Sequence, residues 1–308
     1  LRLKAGPLDR TGIAILVMLA STFVMAFQDA VVKHISVELP LWQIFVVRSL
    51  IVLPGLLGLL VLRRNWRRHV PMALGWATLR SLFLVFMYVA FYAALPLLDL
   101  SVVAAAYYTG PLFITLFAAV LLGEVLGVRR IAAVLAGFVG VLVILRPGSD
   151  QFSPLMLIPI LAAALYAGAA ILTRSKCCEE SPLALSIVLN VAFVAVGGAF
   201  SVLMAVLNGW PDWIPDYPFL FGQWAPMRGR EWGIVLILAA ANLTIHLGLA
   251  KAYQSGPPSI IATFDYSYLP FAVFWGLIFF AEWPDLPTVS GMLLIAGAGL
   301  AVAFQRRR

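Results

Sequence analysis

Charge is what this chain has least of. Asp, Glu, Lys and Arg make up 11% of 308 residues, while 63% are hydrophobic, and the mean hydropathy is +0.99. A soluble globule must wet its outside, so a composition this poor in charge excludes an ordinary water-soluble domain. Histidine and cysteine are also scarce, at three and two residues. His34, His69 and His246 occupy separate places and form no ligand pattern, so no metal site is expected. Cys177 and Cys178 are neighbours, which rarely bridge, so no disulfide is expected either. Gly-x-x-x-x-Gly-Lys-Ser/Thr does not occur, which argues against ATP-driven pumping by this chain. No convergent nucleophile, base and acid set appears, so an enzyme is not expected. No cofactor is implied. A selectivity filter or ring of charge is missing too, which counts against a channel. The first apolar run begins near Gly12 and shows no small-residue cleavage pattern, so it reads as a span and not as a leader.

What is present is a series of long apolar runs. A helix crossing a bilayer satisfies its own backbone hydrogen bonds, and about 20 residues are needed per crossing. Ten runs meet this: 12–35, 41–62, 71–94, 98–122, 130–146, 154–173, 183–207, 232–253, 258–281 and 286–304. The net charge of +7 comes from basic residues clustered between these runs, a topology signal and not a nucleic-acid footprint. With the N-terminal side taken as inside, fourteen of the 21 basic residues fall in inside segments and only three, Arg146, Arg228 and Arg230, fall in outside loops. Both termini are therefore expected in the cytoplasm of a bacterial cell, with the chain in its inner membrane. The longest loop, 208–231, carries Trp210, Trp213, Tyr217 and Trp224. Such aromatics suit the headgroup zone, so the loop is expected on the outer surface.

The two halves share landmarks in one order. Tyr92 ends a helix, Tyr107 and Tyr108 precede Pro111, and Leu122-Gly123-Glu124 closes the run. In the second half Tyr253, then Tyr266 and Tyr268 before Pro270, then Phe280-Ala281-Glu282 repeat the series. Pro40 precedes Arg48 by eight residues, as Pro182 precedes Asn190. Each half then holds five helices, 1–148 and 149–308, and an odd number forces the second to enter the membrane inverted. Inverted repeats that rock around a shared midplane site are a secondary-transporter design.

A proline-centred fourth helix running into Leu-Gly-Glu, followed by Gly137 and Gly140, resembles the drug/metabolite transporter superfamily, in particular its ten-helix exporter (EamA) family. The resemblance covers nearly the whole chain, although Ala281-Glu282-Trp283 departs from the motif. It implies an all-α polytopic fold in which helices 1–4 and 6–9 surround a central cavity. It also implies export of amino acids or similar metabolites.

Ionisable groups inside a membrane need a partner or water. Asp29 and Arg48 lie at similar depth, about 10 Å from the outer side, and are expected to pair. Arg80 and Asp265 match in depth from the inner side and are expected to pair or to gate. Transporter sites cluster where helices break near the midplane, and Pro111 and Pro270 are expected to bend their helices there. A substrate cavity is therefore expected among Tyr88, Tyr107, Tyr166, Asn242, His246 and Tyr268. Its mix of aromatic walls and few polar groups suits small amphiphiles such as aromatic or neutral amino acids. Nucleotide sugars, nucleobases, cationic drugs and S-adenosylmethionine are the alternative substrates. Glycines in the last span allow close helix contact within a monomer or across a homodimer.

Overall fold

The computed structural model describes residues 7–62, 73–123, 127–148, 153–207, 217–255, 261 and 264–304. These are helical almost throughout, and no strand occurs among them. The helices are α1 (Pro7–Ile35), α2 (Leu41–Val61), α3 (Leu74–Ala94), α4 (Leu100–Tyr107), α5 (Gly110–Leu122), α6 (Val128–Leu145), α7 (Leu157–Lys176), α8 (Pro182–Val206), a short α9 (Pro218–Phe221), α10 (Gly229–Ser255), α11 (Tyr268–Phe280) and α12 (Leu286–Phe304). Seven stretches are long and apolar enough to cross a membrane, and three shorter apolar helices, at Ile131–Leu145, Tyr268–Phe280 and Leu286–Ala301, accompany them.

Local chemistry sets the ends. Pro40 stands in extended backbone before α2 and has no N–H to leave unpaired. Ser181 caps α8 by accepting from the Ala184 N–H at 3.1 Å. Gly123 ends α5 in the left-handed region at φ 68°, where a residue without Cβ fits best. Ala281 adopts the same conformation at φ 55° to end α11. The Leu-Gly-Glu and Phe-Ala-Glu landmarks are thus one device, a left-handed stop, and Glu124 itself lies outside the described residues.

The fourth apolar run is not one bent helix. It breaks at Tyr108 and Thr109 into α4 and α5, and Pro111 sits in the first turn of α5. Pro270 likewise sits in the first turn of α11, after the turn at Tyr266 and Ser267. The prolines therefore open new helical segments, where a missing N–H costs nothing, and do not kink a continuous one.

Helices pair in a regular way. α1 lies along α10, α3 along α7, α2 along α8 and α6 along α12. α1 also meets α11, α5 meets α7, α3 meets α8 and α2 meets α10. The α6–α12 seam depends on glycine: a Cβ on Gly140 would come within 2.9 Å of the Gly291 carbonyl oxygen, and one on Gly291 within 2.3 Å of Ile144. Small residues are what allow two backbones to approach this closely without a hydrophobic drive between helices.

The described part of the long loop is not spread on a surface. The Tyr217 hydroxyl donates to the Ala93 carbonyl at 2.6 Å, Trp42 Nε1 to the Leu220 carbonyl at 2.7 Å, and Gln43 exchanges two bonds of 2.9 Å with the Ala225 backbone. Residues 217–225 are bound over the ends of α2 and α3. Burial raises the pKa of the Tyr217 hydroxyl, so it stays a donor to that carbonyl. Trp224 is half exposed and donates to the Ser201 hydroxyl at 2.7 Å; Trp210 and Trp213 lie outside the described residues.

Candidate functional site

A small cavity of about 40 Å³ opens where α1, α3, α4, α10 and α11 converge; Asp29, Gln28, Tyr88, Tyr107, Asn242 and Tyr268 supply its polar lining. The break between α4 and α5 and the turn before α11 bring Tyr107 and Tyr268 to its wall, because the segment ends there present side chains that an unbroken helix would turn elsewhere.

Asp29 is its most consequential group. It is buried, and its Oδ2 accepts from the Tyr268 hydroxyl at 2.6 Å. The adjacent Gln28 donates from Nε2 to the Tyr92 hydroxyl at 3.1 Å, which fixes the amide. Gln28 Oε1 and Asn242 Oδ1 are buried and have no hydrogen-bond partner. A carboxylate and two amide oxygens thus face one small space as acceptors, and a ligand bearing N–H donors is what satisfies them. The opposite walls are aromatic and soft. Phe91 stands edge-on to Tyr107 at 5.0 Å, and Met25 and Met87 complete the lining.

Four of the six expected cavity residues, Tyr88, Tyr107, Asn242 and Tyr268, line this space together. Tyr166 stands one layer back, its ring 5.8 Å from that of Tyr107 and packed under Gly110. His246 is on α10, but its side chain lies outside the described residues. Gln28, Met25, Met87, Phe91 and Ile245 were not expected. Gln28 carried a readable signal, an amide inside a span beside an acid. The others are apolar and look like lipid-facing or core residues.

The two expected ion pairs do not form. Asp29 bonds to Tyr268, while Arg48 is fully buried with no hydrogen-bond partner for Nε or either terminal nitrogen. Its guanidinium lies 5.0 Å from the Phe193 ring centre and 5.7 Å from that of Phe45. Equal depth was the basis for expecting the pair, but α2 sets the guanidinium against Phe193 of α8, without a bond to Asp29. Arg80 donates from Nε to the Thr173 hydroxyl at 2.6 Å, across the α3–α7 seam. Asp265 instead faces Tyr108, whose hydroxyl is 3.5 Å from Oδ1. Depth gives one coordinate of three, and here the helix faces diverge.

Ion pairs do gather at the end of the bundle where α1 stops. Lys33 pairs with Glu282, Arg146 with Asp285, and Arg230 with Glu38 at 2.8 Å. Partial burial pushes the Asp285 carboxyl up, but the bonds from Arg146 and Thr288 outweigh it and hold the group below its usual value. Among the described residues no cluster of side chains fit to hold a metal ion occurs.

Residues 12–146 match the EamA-like transporter family. The chain is 28% identical to the pseudopaline exporter CntI of Pseudomonas aeruginosa strain UCBPP-PA14, over 97% of this chain and 99% of that protein. It is 29% identical to a riboflavin transporter of Brucella anthropi over 66% of this chain and 67% of that protein. It is 23% identical to an S-adenosylmethionine uptake transporter of Rickettsia felis over 75% of this chain and 72% of that protein. One crystal structure superposes with a TM-score of 0.59 at 17% identity, covering 97% of this chain and 99% of that one, a likeness of fold alone.

Proposed function

We propose that this chain is a member of the EamA-like transporter family, which its first half matches, and a secondary exporter of amine-bearing amphiphilic metabolites, amino acids with apolar or aromatic side chains foremost. One observation carries this reading. The cavity sets a buried carboxylate and two unpaired amide oxygens against aromatic and methionine walls. An ammonium group meets the acceptors, and an apolar side chain meets the rest. Outward transport is the direction named for the relative that matches along the whole chain. A second reading, an amine-bearing metabolite larger than an amino acid, is favoured by the substrates in the relatives' names.

In this reading the chain spans the membrane ten times with both termini in the cytoplasm, as two inverted five-helix units. The helix pairing supports it. Exchanging α1, α2, α3, α5 and α6 for α7, α8, α10, α11 and α12 turns the α1–α10 contact into α7–α3, α1–α11 into α7–α5, and α3–α8 into α10–α2, all of which occur. Alternating access then means rocking one unit against the other around the cavity.

The test is counterflow in proteoliposomes with a panel of labelled amino acids, amines and nucleosides. Saturable flux stimulated by the same solute on the far side is expected for neutral amino acids. Asp29→Asn is expected to lower that flux by about 100-fold or more, since it removes the one charged group among the described lining residues, while Tyr268→Phe costs about 10-fold. Equal flux for Asp29→Asn and wild type removes the basis of the reading.

A further inference from the structure

Arg48 is the strangest residue in this chain. It is fully buried, and all three guanidinium nitrogens are without a hydrogen-bond partner. A charge in such a place costs several kcal/mol unless something answers it. The faces of Phe45 and Phe193 answer it in part, because aromatic quadrupoles attract a cation. They leave five N–H donors unused.

Its position relative to the cavity is close and indirect. Arg48 lies near Asp29, Tyr88 and Tyr92, with the Tyr92 hydroxyl next to its guanidinium. Asp29 and Tyr88 are both cavity walls. Tyr88 packs at 5.5 Å on Phe193, the ring under the guanidinium, and at 5.5 Å on Tyr92. One layer of side chains, with Tyr88 at its front, therefore separates the donors of Arg48 from the acceptors of Asp29, Gln28 and Asn242. Tyr88 is the side chain that would have to turn aside for one ligand to reach both groups.

We propose that Arg48 is a specificity-determining carboxylate subsite at the back of this cavity, so that the substrates are zwitterions whose ammonium meets Asp29 and whose carboxylate meets Arg48. This rests on the reading of the cavity as the transport site. It replaces an Asp29–Arg48 pair as the role of the arginine: the ligand, not the protein, bridges the two charges. Guanidinium and carboxylate match fork to fork, and the match explains a cost that packing does not.

The experiment compares each acid with its own carboxylate-free analogues. Wild-type proteoliposomes loaded for counterflow of labelled phenylalanine and leucine are challenged with the matching amides and with phenethylamine or isoamylamine. Wild type is expected to prefer the acid by about 10- to 100-fold. In Arg48→Gln that preference falls toward unity while the amine still competes through Asp29, and Arg48→Lys lies between. Asp29→Asn shows the reverse, losing the amines. A structural arginine predicts otherwise: Arg48→Gln would lose acid and amine alike, or keep the full preference, and either result overturns the proposal. If both Arg48 variants fail to reach the membrane, wild type alone still decides, because equal competition by acid and amide overturns the subsite. Competition by amines with no flux of any zwitterion overturns the subsite and leaves an amine transporter. Flux of neither overturns the transport site itself.

Discussion

Replacing Glu282 is the sharpest test of how the helix ends are held. One carboxylate ties three segments: Lys33 in the last turn of α1, the Leu100 N–H that opens α4 at 2.8 Å, and its own place just past α11. Lys33 also donates to the Leu98 carbonyl at 2.7 Å and lies 4.8 Å from the Phe280 ring centre. The paired side chains are only 10% and 14% exposed, so the discount for a surface pair does not apply. Breaking a buried pair costs about 3–5 kcal/mol. Lys33 keeps its carbonyl and ring, which puts the pair at the low end, about 3 kcal/mol. The orphaned Leu100 amide adds about 1 kcal/mol. At about 2 °C per kcal/mol for a chain this large, Glu282→Ala is expected to lower Tm by about 8 °C. Size-exclusion of detergent-solubilised protein after a heating series measures it. Lys33→Met combined with Glu282→Leu should recover about half of the loss, because an apolar pair of similar volume is nearly neutral in such a site. The Leu100 amide and the Leu98 carbonyl, which loses its Lys33 donor, leave a deficit of about 4 °C. A shift under about 1 °C for Glu282→Ala, or a double variant as unstable as the two losses added, refutes the reasoning.

Asp285 at the same end is half exposed, and its pair with Arg146 should contribute less than about 1 kcal/mol. Asp285→Asn is therefore expected to lower Tm by no more than about 2 °C at pH 7. Because the folded carboxyl titrates below its ordinary 3.8, its contribution is present above that value and vanishes as the pH drops through the folded one, so melting curves of the two proteins should converge below it. Gly291→Val puts a branched side chain where a single Cβ already meets Ile144 at 2.3 Å; a loss of about 3 kcal/mol or more is expected, read as a fall in monodisperse protein, and unchanged yield would refute close packing at the α6–α12 seam. Ala281→Gly relieves a left-handed alanine worth about 1–2 kcal/mol and adds about 0.5–1 kcal/mol of unfolded-state entropy; a gain in Tm of about 1–2 °C is expected, and a drop would place the strain elsewhere.

The helical, membrane-spanning character of the chain is legible because it depends on composition and run length, which need no third dimension. Pro111 and Pro270 mark the irregular places in the fourth and ninth apolar runs but not their form: bends were expected, and the chain instead turns two to four residues earlier, at Tyr108-Thr109 and Tyr266-Ser267. Polarity alone picked out Tyr88, Tyr107, Asn242 and Tyr268, because a hydroxyl or amide inside a span has few uses. It could not pick out Met25, Met87 or Phe91, which differ from lipid-facing residues only by azimuth. Azimuth is also why the Asp29–Arg48 and Arg80–Asp265 pairs failed. Rise along a helix is readable to an ångström or two, but its rotation against neighbours is set by the packing of whole faces. The docked loop at 217–225 was unreadable for another reason: its anchors are backbone carbonyls, which no sequence distinguishes.

Asn190 offers a comparison for Arg48. Asn190 stands eight residues past Pro182, as Arg48 stands eight past Pro40, and is likewise buried, on the helix that packs against α2. Asn190 Nδ2 donates to the Ser186 carbonyl at 2.9 Å, one turn back on its own helix, so it asks nothing of its neighbours. The α2–α8 seam therefore tolerates a neutral residue, satisfied locally, at the matching position. Its rings close the gap without help: Phe45 and Phe193 stand 4.7 Å apart, and Trp42 stacks on Phe200 at 4.3 Å. Arg48 takes no such local bond: none of its three guanidinium nitrogens has a hydrogen-bond partner. Packing thus leaves the charge unexplained, and what separates the two positions is what lies in front of them. Arg48 faces the layer that backs the cavity, and the paired seam makes Asn190 the neutral counterpart against which its charge has to be justified.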